Sequence, residues 1–201
     1  FISREAYKLK KDDDFILGLR NQFGNFHLVP EGGANYYGVM GCMEIAKEFD
    51  VQPNFFATSA GTGTTASGLL LSATQHQKVM VFSGLKGGEF LKDDIKHLIN
   101  YTTYNADDTR ETLKHLDLIT DYHFGGFAKI TPELVEFANA FYRQFQIPLD
   151  LIYTSKLFYG LFDMIRKNHF KPHSKIVALH TGGLQGNNGF SGQMKKMGVS
   201  L

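Results

Sequence analysis

Three short stretches hold the residues whose types and spacing suit chemistry. The first is AGTGTT at 60–65, which follows the strand-like run PNFFATS at 53–59 and leads straight into helix-compatible ASGLLLSATQ. A strand, a glycine-rich turn and a helix leave a row of backbone N–H groups at the positive end of that helix, with hydroxyls beside them. That is a cradle for a phosphate, built from Ala60, Gly61, Thr62, Gly63, Thr64 and Thr65. The glycines let the main chain approach a ligand closely and take φ values that a side chain forbids. The stretch is not GxGxxG, with Thr65 and Ala66 after Gly63, and it is no P-loop, because the lysine is missing. A turn that is only a turn is the competing reading of the same residues.

The second stretch is YTSK at 153–156, where Tyr153 stands just past an expected strand. Its ring is either an aromatic plate over a planar ligand or a residue at the edge of the core. Lys156 reads as a surface or turn lysine, as does Lys86 in LKGG. The third is HTGG at 180–183: Thr181 offers a hydroxyl to a ring nitrogen, and His180 reads as a packed strand-end histidine rather than a base. Metal chemistry has little support, since the eight histidines form neither HExxH nor a Cys/His ligand spacing. The single cysteine, Cys42, reads as a small buried hydrophobe, and no GxSxG elbow is present.

The elements that must position these turns alternate along the chain. Strands are expected at 53–60, 78–85, 118–122 and 175–180, with a short one at 26–29. Helices are expected at 5–21, 38–49, 66–75, 89–101 and 131–145, and from YTSK to about 168. The continuous apolar centre of KVMVFSGL implies burial on both faces. Thr131, Pro132 and Glu133 form a helix start: a cap, a first-turn proline and an acid at the positive end. This alternation predicts a three-layer α/β fold, a mostly parallel sheet with helices on both faces, and ligands in such sheets sit beyond the carboxyl ends of the strands. A formal charge of +1 gives no basic stripe for nucleic acid, and no apolar run approaches a membrane span. One cysteine and no signal-peptide pattern lead to an expected cytoplasmic location.

Phosphate cradle, ring-facing aromatic and ring-nitrogen hydroxyl together suggest pyridoxal 5'-phosphate. PEGGANYYGVMGCMEIAKE, TSAGTGTTASGLL, LIYTSKLFYGL and ALHTGG, in that order, resemble the D-cysteine desulfhydrase and 1-aminocyclopropane-1-carboxylate deaminase family. That family belongs to the tryptophan synthase β-like, fold-type II pyridoxal phosphate enzymes, and the resemblance runs from REAY at 4–7 to the last GG. It implies that 60–65 is the phosphate loop, that Tyr153 is the active-site tyrosine stacked at the ring, and that Thr181 lies near the pyridine nitrogen. Thr154 joins the cofactor-binding set. It resembles the desulfhydrase branch, because deaminases of the family carry Glu after the tyrosine.

The resemblance implies that residues 1–25 are the end of a small domain and its crossover, and that 26–201 are the large cofactor-binding domain. Members carry the cofactor's Schiff-base lysine in a GNK-type motif, which this chain lacks. The chain therefore reads as roughly the last two thirds of a member, inactive alone. The complete protein is expected to be a homodimer that eliminates sulfide from D-cysteine, giving pyruvate and ammonia. The alternatives are deamination of 1-aminocyclopropane-1-carboxylate to 2-oxobutanoate and ammonia, a non-catalytic module for a phosphate ligand, and a purely structural domain.

Overall fold

The computed structural model describes residues 2–201, in two units that meet in sequence between Pro30 and Glu31. The first unit holds α1 (Arg4–Lys8) and α2 (Asp13–Phe23) where one helix over 5–21 was expected. The break has a local cause. The Asp12 carboxylate accepts from Phe15 N–H at 2.9 Å and starts a second helix. The expected strand at 26–29 is coil. Gly24, at φ 76°, turns the chain out of α2, and Leu28 and Val29 stay exposed, so no apolar face is buried to hold a strand.

The second unit is built on a four-stranded, all-parallel sheet. Its strands are β1 (Phe55–Ala60), β2 (Lys78–Ser83), β3 (Leu116–Ile119) and β4 (Ile176–Ala178), in the order β3-β2-β1-β4. The helices are α3 (Tyr36–Met43), α4 (Thr64–Ser72), α5 (Leu91–Thr103), α6 (Ala106–Thr112), α7 (Pro132–Phe145), α8 (Thr154–Arg166) and α9 (Ser191–Met197). Side chains alternate across the strands with period two. Phe56, Ala60, Val79 and Val81 pack on Leu69 and Leu70 of α4 and on Leu91, Ile95 and Ile99 of α5. Ala57, Met80 and Phe82 pack on Leu157, Leu161 and Met164 of α8. Both faces are thus covered, which is why β2 is continuously apolar from Val79 to Phe82. Among the described residues no helix is long and apolar enough to cross a membrane.

Two departures bear on the site. The expected helix over 38–49 gives way after Met43 to a tighter 3-10 stretch at Glu44–Glu48. No strand precedes Tyr153, because the carboxylate of Asp150 captures the N–H groups of Ile152, Tyr153 and Thr154 that a ladder would need. Helices α3 and α4 touch backbone to backbone. A Cβ at Gly68 would lie 2.4 Å from the Cβ of Cys42 and 2.8 Å from the carbonyl oxygen of Val39.

Candidate functional site

Because the strands are parallel, the loops after β1, β2 and β4 leave from one end of the sheet, where they shape a cavity of about 540 Å³. The 60–65 loop forms its floor. Gly63, at φ 81°, turns the chain into α4, and no side chain caps that helix. The N–H groups of its first turn consequently have no partner within the helix, and they stand at its positive end. Thr64 Oγ1 donates to the Gly32 carbonyl at 3.0 Å and lies 3.1 Å from Thr62 Oγ1, which ties the EGG turn at Glu31–Gly33 to the loop.

Tyr153 forms the opposing wall, with its hydroxyl above Gly61. A Cβ on Gly61 would be 2.7 Å from that oxygen, so only glycine leaves this space open. Thr181 lines the same cavity, as do all six residues of the loop, so three segments distant in sequence converge. Burial first, and then the negative charges of Asp150 and Glu31, raise the Tyr153 pKa. The phenol therefore keeps its proton at neutral pH and can donate from its oxygen.

Thr154 is the exception among the expected site residues. It is fully buried, does not line the cavity, and donates from Oγ1 to Asp150 Oδ2 at 2.6 Å while accepting from Asp150 N–H at 2.9 Å. Its hydroxyl is committed to the start of α8 and not to the cavity, contrary to the expected place in the cofactor-binding set. Lys156 overturns its surface assignment more completely. It is 1% exposed and donates to the carbonyls of Gly126, His123 and Gly84 at 2.8, 2.9 and 3.2 Å. Burial lowers its pKa to about 8, partly offset by Asp150. Lys86 is exposed as expected.

His180 is packed at the strand end. Its Nδ1 accepts from Gly182 N–H at 3.1 Å, which leaves Nε2 to donate to the Pro148 carbonyl at 2.7 Å. Cys42 is only half-buried, its Sγ 3.9 Å from Thr65 Oγ1. The sequence reading missed Glu31 and Phe127 on the cavity wall and Asp150 beneath it. The glycine pairs beside the first two, EGG and GGF, were the available signal.

No family model matches the chain. Two proteins named "Putative 1-aminocyclopropane-1-carboxylate deaminase" are similar to it. The one from Pyrococcus horikoshii is 29% identical over 92% of this chain and 58% of its own length. The one from Pyrococcus furiosus is 30% identical over 80% of this chain and 50% of its own length. The mitochondrial bifunctional D-cysteine desulfhydrase/1-aminocyclopropane-1-carboxylate deaminase of Arabidopsis thaliana is 27% identical over 80% of this chain and 42% of its own length. The chain thus spans about half the length of the curated relatives it matches. A crystal structure described as an ACC deaminase homologue superposes with a TM-score of 0.80 at 26% identity, covering 98% of this chain and 62% of that one. Likeness of sequence and of fold extends over most of these residues, and the chain belongs to the 1-aminocyclopropane-1-carboxylate deaminase and D-cysteine desulfhydrase family of fold-type II pyridoxal phosphate enzymes.

Proposed function

We propose that the protein, in its complete form, is a pyridoxal phosphate-dependent enzyme that deaminates 1-aminocyclopropane-1-carboxylate to 2-oxobutanoate and ammonia. The supporting observation is the single cavity shared by the 60–65 loop, Tyr153 and Thr181. Its volume suits a small cofactor and a small substrate. Its residues suit a phosphorylated ring: an uncapped helix start beside threonine hydroxyls, and a space above Gly61 that a Cβ would fill. In this reading the N–H groups and hydroxyls of 61–65 hold the phosphate, and Thr181 serves the ring nitrogen. When bound, the cofactor supplies an electron sink for the carbon that carries the substrate amino group.

Tyr153 closes the site over Gly61 and keeps a proton at its oxygen for delivery to the substrate. Phe127 and Leu85 line the same cavity beside it. No lysine of this chain lies in a GNK-type motif, so the covalent anchor of the cofactor is assigned to no residue within it. Residues 1–25 are read as the end of a smaller domain, and the complete protein as a homodimer.

The names of the relatives favour the deaminase reaction. Thr154 after the tyrosine, and the double name of the Arabidopsis relative, favour a second reading: elimination of sulfide from D-cysteine, leaving pyruvate and ammonia. The deciding experiment supplies the complete protein and pyridoxal phosphate with each substrate in turn. Formation of 2-oxobutanoate supports the first reading, and pyruvate with sulfide supports the second. Cofactor binding with neither product reduces the site to a non-catalytic module for a phosphate ligand.

A further inference from the structure

An ammonium removed from water is costly unless its protons meet acceptors. Lys156 meets three, and all are main-chain carbonyls rather than carboxylates. They come from two loops. Gly84 follows β2, whereas His123 and Gly126 belong to the loop after β3. That second loop turns through four residues at positive φ: Phe124 at 52°, Gly125 at 94°, Gly126 at 117° and Ala128 at 52°. Two of these are not glycine, a conformation that persists only where surrounding contacts hold it.

Both loops end against Tyr153. A Cβ on Gly84 would lie 2.9 Å from the Ile152 carbonyl oxygen and 3.3 Å from Tyr153 Cδ1. The Phe127 ring stands 6.2 Å from the Tyr153 ring, centroid to centroid. Lys156 itself lies in the first turn of α8, three residues beyond the tyrosine. We infer that Lys156 is a positioning residue. Its buried ammonium gathers the loops after β2 and β3 around Tyr153 and so fixes where the Tyr153 hydroxyl stands above Gly61. A lysine that only fills space would be replaceable by methionine. A lysine that organises carbonyls would not, because methionine leaves three acceptors without a donor.

The test uses Lys156→Met and Lys156→Ala in the complete protein labelled with 3-fluorotyrosine, with the Tyr153 signal assigned through Tyr153→Phe. The methionine variant is expected to shift that signal and to speed amide exchange at 123–128 by roughly ten-fold, with β1 unchanged. In the alanine variant, n-propylammonium is expected to restore the signal and propanol to leave it displaced. A wild-type signal in the methionine variant, or equal rescue by propanol, overturns the inference. Should neither variant fold, Phe127→Ala keeps Lys156 and its carbonyls while removing one wall, at a residue 56% exposed. It should shift the Tyr153 signal from its wild-type position, and an unmoved signal refutes the claim that the loop places the tyrosine. That the tyrosine so placed faces a cofactor rests on the function proposed above. If wild-type protein binds no pyridoxal phosphate, that function fails, while the tyrosine signal and the exchange rates still decide the role of Lys156.

Discussion

Helices α4 and α8 both begin beside one cavity, and they treat their positive ends in opposite ways. At α8 the anion is built in: the Asp150 carboxylate accepts from the N–H groups of Ile152, Tyr153 and Thr154 and from the Thr154 hydroxyl. At α4 the entering residue is Gly63, and no side chain takes that place. A helix end that satisfies itself serves as a rigid mount, here for Tyr153. One left open is available to an anion from outside. The difference separates the residues that hold Tyr153 from those whose N–H groups stay open, although threonine stands in both sets.

Removing the built-in anion should have the largest effect. Asp150→Ala leaves three N–H groups and a hydroxyl without their acceptor, and a loss of roughly 3 kcal/mol or more is expected in urea unfolding. Filling the open end should act on binding instead. Gly61→Val forces a side chain against the Tyr153 hydroxyl, and fluorescence titration should show pyridoxal phosphate bound roughly a hundred-fold more weakly, on the scale of overpacking strain. Unchanged affinity would return the AGTGTT stretch to the status of a plain turn.

A smaller effect concerns pH. The Lys156 pKa is lowered to about 8 from 10.5, so between those values the unfolded chain holds a proton that the folded chain has released. This group therefore adds stability as pH rises through that window. Tyr122 acts the other way at higher pH: burial and the Asp163 hydrogen bond push it up to about 12, so the stability it contributes is lost above pH 10. The difference in unfolding free energy between wild type and Lys156→Met isolates the lysine, since Tyr122 is common to both, and it should climb between pH 8 and 10.5. The smallest change sharpens the contrast between the helices. Thr154→Val should cost about 1 kcal/mol of stability and leave cofactor affinity intact, whereas Thr62→Val should do the reverse. Calorimetry and titration on the same pair of variants would show whether mount and receptor are separable.

The sheet and the turn into α4 were readable in the sequence because their signals are local. KVMVFS has a continuous apolar centre, Thr131 and Pro132 announce α7, and Gly63 with its threonines marks the entry to α4. The mount was not readable. LDLI before Tyr153 has the composition of a strand, and only the Asp150 carboxylate, reaching two to four residues ahead, diverts its N–H groups. Lys156 was misread for a longer-range reason. Its acceptors lie 72, 33 and 30 residues away, so nothing beside it in sequence reports the burial. Thr154 was placed in the site by resemblance, yet its hydroxyl faces Asp150.

The contact between α3 and α4 leaves no room for a methyl group at Gly68, one helical turn behind Thr64. The floor of the cavity and the EGG turn bonded to it through Thr64 are carried by those same two helices. Position 68 consequently works as a shim. One added carbon would wedge α4 away from α3 and alter the mouth of the cavity from its far side. Sequence drift at a residue that does not line the cavity can thus alter the cavity's width.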